Sequence, residues 1–585
     1  MSKTNSKLAS VIGTKQPKPN LVNARNIPTP DTTNQQGYSA YSQDKWLTLL
    51  TMLNTLKFEP QYYRSQTQTL KELQTLIDNC AKEDLYLTCQ CIVYSRCLGE
   101  GMRTISHAAS MLIASYISGQ EYSKRFYGPW DKKNKRGGVI YRPDDMYEIM
   151  SGFLALNDEK TYYHKNSEGF YEENELSYFL HLLKHNEVIE EDGLRIMDIS
   201  KKPKLTNAMK KGFKSAIESY DSYQLLKYKS NLIDIINLVH PSPKLSKATV
   251  EYNGEKVSTI DAIMKGYNVS ANTWEVNQGE AGQIVAKAVK EGKLTDKEAK
   301  ETLTQAKSDN WKELLDTNKL GILAALRNLR NILLNNPESS TITKLCELVS
   351  NPTLIREGKI MPYQLDLANE IMIAEFNSPY ARQISMALAK GYELAIPNLS
   401  ALIPGQNVIF LDQSGSMGYE IKLLGQKYSS RTSCISKAAL IAATIAKATN
   451  ADIIVFGSSA QYVQYNPNLD VFTLAKKLST ADMGGTNLAT AWKLAQASGR
   501  KYTRTFILSD NECNIGNTYS SYMSYVKNVG HPYVYSVDLA GYGTNAIAGD
   551  KVRYYYGYGF AMFDDIAKSE FNAAYHLDKV KKVVI

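Results

Sequence analysis

The chain has 585 residues, 43% of them hydrophobic and 22% charged. This composition is ordinary for a soluble globular protein, excludes wholesale disorder, and at one domain per roughly 100–200 residues leaves room for about three domain-equivalents. The 68 basic residues outnumber the 59 acidic ones for a formal charge of +9, which permits an anionic partner such as nucleic acid where the excess is clustered.

No window of about 18 uninterrupted apolar residues occurs, and the opening MSKTNSKLAS holds no apolar core of a secretory signal. The expectation is therefore a cytoplasmic protein with no membrane partner. Seven cysteines, an odd number with no C-x-x-C spacing, argue against both a disulfide framework and a zinc ribbon. Tyrosine is abundant, 39 residues against 14 Phe and 5 Trp. Such rings can stack on bases or fill a core with a wet edge.

Residues 1–36 are rich in Lys, Asn, Pro, Thr and Gln without apolar period and read as a disordered arm. Structure is expected from about Tyr38. From there to about residue 400 the pattern is helical: Trp46, Leu47, Leu49, Leu50, Leu53 and Leu56 share one face, and Leu70, Leu73, Leu76 and Ile77 repeat it. The spacing predicts further helices over 84–96, 102–118, 145–155, 175–186, 206–219, 232–238, 281–290, 296–306, 310–317, 319–334, 341–349, 362–375 and 380–394, many entered by Ser, Thr, Asp or Asn. Short amphipathic helices in close succession are the sign of a HEAT-like or armadillo-like α-solenoid, in which each pair buries its face against its neighbours.

Two stretches interrupt the array as expected surface insertions or loops. Tyr122–Arg142 carries the run Lys132, Lys133, Lys135, Arg136 beside Tyr127 and Trp130, and Lys244–Asn277 contains an Asn253-Gly254 turn between β-prone residues. The densest basic tract is Lys201, Lys202, Lys204, then Lys210, Lys211, Lys214, then Lys227 and Lys229, ending at His240 and Lys244. Lys210, Lys211 and Lys214 lie near one face of a predicted helix. Such lysines serve either as a solvated helix face or as phosphate contacts that supply affinity and salt dependence rather than sequence choice. The Lys132–Arg136 patch has the same two readings, with stacking added by its aromatic neighbours in the second. Arg327 and Arg330, three apart in an apolar helix, face one side together, either capping carbonyls between repeats or lining a cavity. His107 reads as a hydrogen-bonded packing histidine.

After Pro404-Gly405 the pattern changes. Val408–Leu411, Ile453–Phe456, Phe506–Leu508 and Tyr533–Val537 are short apolar runs, the form of strands buried on both faces of a parallel sheet. Amphipathic helices over 432–449 and 487–498 separate them. This β-α-β order predicts a doubly wound α/β (Rossmann-like) domain over 401–585, with a last helix from about Ala561.

At the carboxyl ends of such strands functional groups collect, and three notable segments fall there: Asp412-Gln-Ser414-Gly-Ser416, Met483-Gly-Gly-Thr486-Asn, and Ser509-Asp510-Asn511-Glu512. Converging, Asp412, Ser414, Ser416, Thr486 and Asp510 supply hard oxygen donors with no His or Cys, a set that selects Mg²⁺ or Mn²⁺ over zinc. Alternate positions of a tight loop point the same way, so two small hydroxyls ligate beside one carboxylate. Gly484 and Gly485 let Thr486 reach the ion, and Asp510 binds through water. A lone D-x-S-x-S more often marks a turn or cap; here each element follows a buried-strand pattern or precedes a helix.

These five positions resemble the metal-ion-dependent adhesion site (MIDAS) of a von Willebrand factor A domain. Trp311-Lys-Glu-Leu-Leu, continuing to Leu320-Gly-Ile-Leu-Ala-Ala-Leu-Arg327-Asn328-Leu-Arg330-Asn331, resembles the corresponding segment of the Ro autoantigen in the TROVE (telomerase, Ro and vault) family, and Gly484–Thr486 and Ser509–Glu512 are similar to the Ro versions of the adhesion-site loops. The resemblance spans roughly residues 38 to 585 by order of elements, with local motifs at 311–332, 355–365 and 407–512. It implies a helical-repeat TROVE ring over 37–400, a monomeric ring whose ends an A domain over 401–585 bridges. It further implies a ribonucleoprotein partner: small noncoding Y-like RNA on the outside, single-stranded ends of misfolded RNA in the central hole, and a role as scaffold or RNA quality-control factor. Lys227, Lys229 and His240 then fall where Ro meets RNA, and the metal site would dock an acidic protein ligand or an exoribonuclease.

Three function classes follow. The first is the nonenzymatic RNA-binding ring. The second is a metal-dependent protein-docking or assembly component without RNA binding. The third, a metal-dependent hydrolase using Asp412, is disfavoured because Ser414 stands where a nucleophilic Asp normally has a second acid, and two-metal chemistry needs more carboxylates.

Overall fold

The computed structural model describes residues 28–55, 66–155, 163–165, 171–173, 189–191, 194–196, 205–269, 271, 274–418, 433–479, 483–557, 559–572 and 574–585. Lys201, Lys202, Lys204 and the helix expected over 175–186 lie outside the described residues. Two compact units emerge: Lys45–Asn272 with Leu577–Ile585, and Thr273–His576 with the segment up to Asp44.

The first unit is built on helices Lys45–Thr55, Gln66–Glu83 and α1 (Leu85–Cys97). Asp84 caps α1 by accepting from the Leu87 amide at 2.9 Å, satisfying one of the free N–H groups of a helix start. α1 is buried from Leu87 to Cys97, and its long polar side chains are satisfied inside, Arg96 by Asp145 at 2.8 Å and Gln90 by backbone carbonyls. The helix expected over 102–118 divides into α2 (Thr104–Leu112) and a short turn, Ala114–Ile117. The 122–142 insertion is folded as α3 (Ser123–Phe126) and a hairpin pairing Trp130–Asp131 with Arg136–Gly137. α4 (Pro143–Ala155) and α5 (Asn207–Ser219) follow, then Ser222–Lys227, started by an Asp221/Gln224 capping box, and Lys229–Val239. In the second insertion Thr249–Tyr252 pairs with Glu255–Ser258. Asn253 and Gly254 both take positive φ, 51° and 81°, the conformation a two-residue type I′ hairpin requires. The Leu577–Ile585 tail is stitched into this unit: Gln90 Nε2 donates to the carbonyls of Lys581 and Val583 at 3.0 and 2.7 Å.

In the second unit, helices Ile322–Leu334, Ser339–Val349, Pro362–Glu375 and Pro379–Ala395 precede the sheet. The helices expected over 296–306 and 310–317 are one, Asp296–Asp316. The sheet has six strands: β1 (Asn407–Asp412), β2 (Asp452–Phe456), β3 (Ala460–Val463), β4 (Arg504–Ser509), β5 (Tyr533–Asp538) and β6 (Val552–Tyr556), ordered 3-2-1-4-5-6. All neighbours are parallel except β2 with β3. The predicted strands are β1, β2, β4 and β5, β1 and β4 being buried at every residue.

One sheet face packs Ile409, Leu411, Phe506 and Leu508 against α6 (Cys434–Thr449) and, in the same core, against upstream Trp311, Leu345, Ile384 and Tyr392. The Tyr392 hydroxyl bonds the Thr444 hydroxyl at 2.7 Å. The other face packs Val408, Phe410, Ile454 and Phe456 against Trp492 of α7 (Leu488–Ala497) and Tyr522 and Tyr525. The fold is thus a mostly helical region followed by a doubly wound α/β domain of the kind expected.

Part of the segment expected to be a disordered arm is structured. Thr32–Thr33 pairs with Ser39–Ser42, which in turn pairs with Thr544–Asn545. The backbone amide of Gln35 donates to Glu512 Oε2 at 2.9 Å and Asn34 Nδ2 donates to the Cys513 carbonyl at 2.9 Å. Local composition hides this because the partners lie almost the whole chain away. Among the described residues no helix is long and apolar enough to cross a membrane, and all seven cysteines are free thiols.

Candidate metal centre and basic surface

Strand order reverses between β1 and β4, so the loops leaving their carboxyl ends part and open a crevice at the topological switch point. Asp412 ends β1 and is fully buried. Its Oδ1 accepts from the Ser414 amide at 2.9 Å, and its Oδ2 accepts from the Ser509 hydroxyl at 2.5 Å. The hydroxyls of Ser414 and Ser416 stand 3.3 Å apart. The nearby Ser416 hydroxyl favours the ionised form of Asp510, whose Oδ1 accepts from the Glu512 amide at 3.1 Å. The first and third loops therefore meet through their side chains.

The second loop joins through its backbone. The Gly415 amide donates to the Gly484 carbonyl at 2.9 Å, and Met483 N donates to the Gln413 carbonyl at 2.9 Å. Gly484 holds φ of +78°, a left-handed conformation suited to glycine. At Gly457 a Cβ would stand 2.3 Å from Met483 Cβ, so only glycine permits this approach. The Thr486 amide donates to Asn514 Oδ1 at 2.9 Å, and Asn514 Nδ2 donates to Gln36 Oε1 at 3.1 Å. Asp412, Ser414, Ser416, Thr486 and Asp510 are all buried, and the structure brings these loops together.

Burial, then the neighbouring Asp510, pushes the Asp412 carboxyl up to about 7, against the opposing hydrogen bonds from Ser509 and Ser414. Asp510 is also raised, first by burial, with the Ser416 hydroxyl and the Glu512 amide opposing. Two carboxylates deprived of water disfavour each other's ionisation; a cation between them removes that penalty. Hard oxygens alone, two carboxylates and small hydroxyls, fit Mg²⁺ or Mn²⁺. Among the described residues no three His, Cys, Asp or Glu side chains converge as a metal site, so the candidate depends on its hydroxyls. Sequence reasoning gives no role to Ser509, Asn514 or Glu512. Glu512 is fully buried with Oε1 unpartnered, and its carboxyl is raised to about 8 by burial and by Asp510.

The basic candidates are dispersed in the first unit. Lys210, Lys211 and Lys214 lie on α5, Lys211 exposed and the other two half-buried. Lys227 is exposed, with Nζ 5.7 Å from each ring of Tyr223 and Tyr228. Lys229 donates to the Val269 carbonyl at 2.7 Å, a tie within the fold. His240 is an exposed helix cap with φ of 47°. Lys132 lies 4.3 Å from the Tyr141 ring centre, and burial, then Arg142 and Arg96, lower its pKa. Lys133 and Arg136 are exposed. Stacking by Tyr127 and Trp130 is overturned: both are buried, and the Tyr127 hydroxyl donates to the Ser110 carbonyl at 2.8 Å. Their apolar surface completes the core beneath the insertion. Arg327 and Arg330 are exposed together, and Arg330 pairs with Glu375. His107 is buried against Glu148 and Asp145, 2.7 and 3.3 Å away.

No family model and no curated protein matches the chain. Among solved structures it is similar to the Ro (RSR) protein of Deinococcus radiodurans, with 15% sequence identity and a TM-score of 0.49, over 90% of this chain and 100% of that one.

Proposed function

We propose that the chain is a nonenzymatic RNA-binding protein of the Ro-like kind. Its helical part binds a small noncoding RNA and single-stranded RNA ends, and its sheet domain holds Mg²⁺ or Mn²⁺ to dock an acidic protein ligand such as an exoribonuclease. The observation that carries this reading is the meeting, at the carboxyl ends of β1 and β4, of the loops bearing Asp412, Ser414, Ser416, Thr486 and Asp510. A cation there supplies a positive charge between two carboxylates and an open position for an incoming carboxylate. Exposed Lys211, Lys227 and His240 support RNA binding through phosphate contacts.

Hydrolysis with Asp412 as nucleophile is disfavoured, because Ser414 stands two residues on, where such a nucleophile normally has a second acid.

The test is binding of duplex RNA with a single-stranded 3′ tail, against a blunt control, with KCl titrated from about 50 to 200 mM, a range over which a protein holding 6–10 phosphates weakens by about 10³–10⁵ in affinity. Tail-dependent, salt-steep binding is expected. Absence of binding at low salt overturns the RNA half and leaves a metal-dependent docking module.

A further inference from the structure

The 122–142 insertion is built around glycines at which no side chain fits. A Cβ on Gly138 would stand 2.2 Å from the Arg125 carbonyl oxygen and 2.4 Å from that of Phe126, and one on Gly137 2.4 Å from the Pro129 carbonyl oxygen. α5 is drawn onto the same segment at Gly212, whose Cβ would meet the Tyr127 carbonyl carbon at 2.5 Å. That crossing sets Ser215, three residues on from Gly212, beside α3. Outside the hairpin the tail pairs with it, the Gly137 amide donating to the Val584 carbonyl at 2.8 Å. Backbone contacts thus fix the walls of a cleft of about 360 Å³ lined by α3, the hairpin, Ser215 and the tail.

Three cationic side chains line this cleft, Lys124, Arg125 and Arg136, all exposed. Arg136 pairs across the hairpin with Asp131 and its charge helps to lower the Asp131 pKa, while Lys124 and Arg125 have no carboxylate partner of that kind among the described residues. The one carboxylate side chain in the lining, Asp131, is already engaged: it accepts from the amides of Lys133 and Asn134 at 3.0 and 3.1 Å and from Asn134 Nδ2 at 2.6 Å. The cleft therefore holds guanidinium groups with unspent donors, a hydroxyl at Ser215, and the apolar body of Pro129 on a rigid frame. Arginine forks match phosphate oxygens in geometry and charge, and the volume falls in the range of small-ligand sites, about 300–1,000 Å³.

We infer that this cleft is a nucleotide phosphate-binding site, in which Arg125 and Arg136 hold phosphate oxygens, Lys124 adds charge and the Ser215 hydroxyl donates. The phosphate is that of a free nucleotide or of a nucleotide within an RNA strand; the second source rests on the RNA-binding reading above.

The experiment uses the full chain with two probes, AMP by calorimetry and a short fluorescein-labelled single-stranded oligoribonucleotide by anisotropy. Arg125→Glu/Arg136→Glu reverses both exposed charges. Lys493→Glu/Lys527→Glu, exposed positions in the other compact unit, matches the change in net charge. Thermal unfolding verifies that both variants are folded. The cleft variant should bind ~10-fold or more weakly, the effect expected when charged hydrogen bonds are removed, and its RNA salt slope should fall by about 1 for each phosphate it no longer holds. The control should stay near wild type.

Weakening confined to AMP supports a free-nucleotide site, and weakening confined to RNA supports a strand site. Wild-type RNA binding that the cleft variant retains, with AMP binding absent or unchanged, overturns the cleft and leaves the RNA reading intact. A wild type that binds neither probe overturns both.

Discussion

Asp412 and Asp510 put two like charges where water is almost excluded, 0% and 2% exposed, so without a counter-cation their joint ionisation opposes folding. Asp510→Asn keeps the shape and removes one charge. In EDTA this variant should be more stable than wild type by ~1 kcal/mol, the scale of a one-unit pKa shift. With Mg²⁺ at about 100 times its Kd the wild type should gain ~2.7 kcal/mol by linkage and the variant little. Thermal unfolding with and without MgCl₂ reads both; an equal Mg²⁺ shift in the two proteins rules out the two-carboxylate site. The opposite charge balance holds at His107, in the first unit. Burial pulls its pKa down, but hydrogen bonds to Asp145 and Glu148 prevail and raise it. Its stabilisation is therefore complete below the unfolded value of ~6.5 and is lost as pH rises through the higher folded pKa. Asp145 is the mirror case. Burial would raise it, but His107 and Arg96 hold it well below the carboxylate range, so its stabilisation is present above the unfolded ~3.9 and lost as pH falls through the folded value. His107→Gln should cost ~3 kcal/mol at pH 6, as when one partner of a buried ion pair is removed. Its deficit should shrink toward pH 9, since only the wild type has a charge there to lose. Urea unfolding at the two pH values measures the difference; a deficit independent of pH shows that His107 serves by packing alone.

Among elements, what decides the fold of the insertion is a helix crossing that no local pattern announces. Gly212 sits inside α5, where alanine would favour the helix by ~1 kcal/mol. A Cβ there would meet the Tyr127 carbonyl carbon and oxygen at 2.5 Å, and backbone cannot yield as a flexible side chain does. Overpacking of this kind typically costs ~1–3 kcal/mol. Gly212→Ala should therefore destabilise on balance, seen as a lower midpoint in urea; a rise in midpoint means that α5 and α3 do not touch. β1, β2, β4 and β5 are legible in the sequence because strands buried on both faces must be apolar throughout, and the adhesion-site loops are legible because they follow such strands. β3, Ala-Gln-Tyr-Val at the antiparallel edge, is at most half-buried, so its polar positions give no run to find. Asp296–Asp316 reads as two helices because Ser308-Asp309-Asn310 looks like a cap, yet it continues unbroken. Ser509 and Asn514 are not legible as site residues because their roles are hydrogen bonds to Asp412 and Thr486 in other loops, relations that arise only when the chain has folded.

For the whole molecule, the change from helices to strands near Pro404 does not coincide with the division into cores. Trp311, Leu345, Ile384 and Tyr392 share a hydrophobic core with the sheet, whereas Lys211, Lys227 and His240 belong to the other compact unit. Which helices join which core is set by long-range packing, so the change of pattern along the chain cannot locate it. The consequence is that the candidate metal centre and the exposed basic residues rest on different cores. Perturbations without shared partners add to within about 0.3–0.5 kcal/mol, which corresponds to a change in affinity of about twofold. Asp412→Ala/Ser414→Ala should accordingly abolish the Mg²⁺-dependent thermal shift while leaving tailed-RNA affinity within that factor. Lys211→Glu/Lys227→Glu should do the converse, weakening RNA by ~10-fold or more because charged hydrogen bonds to phosphate are removed, and preserving the Mg²⁺ shift. Anisotropy and thermal unfolding on the four proteins, wild type, each double variant and the two combined, complete the cycle. If instead the metal-site variant weakens RNA only when Mg²⁺ is present, a phosphate of the RNA itself fills the open coordination position. The sheet domain would then be part of the RNA site, and the acidic protein partner proposed for it would be the assignment to abandon.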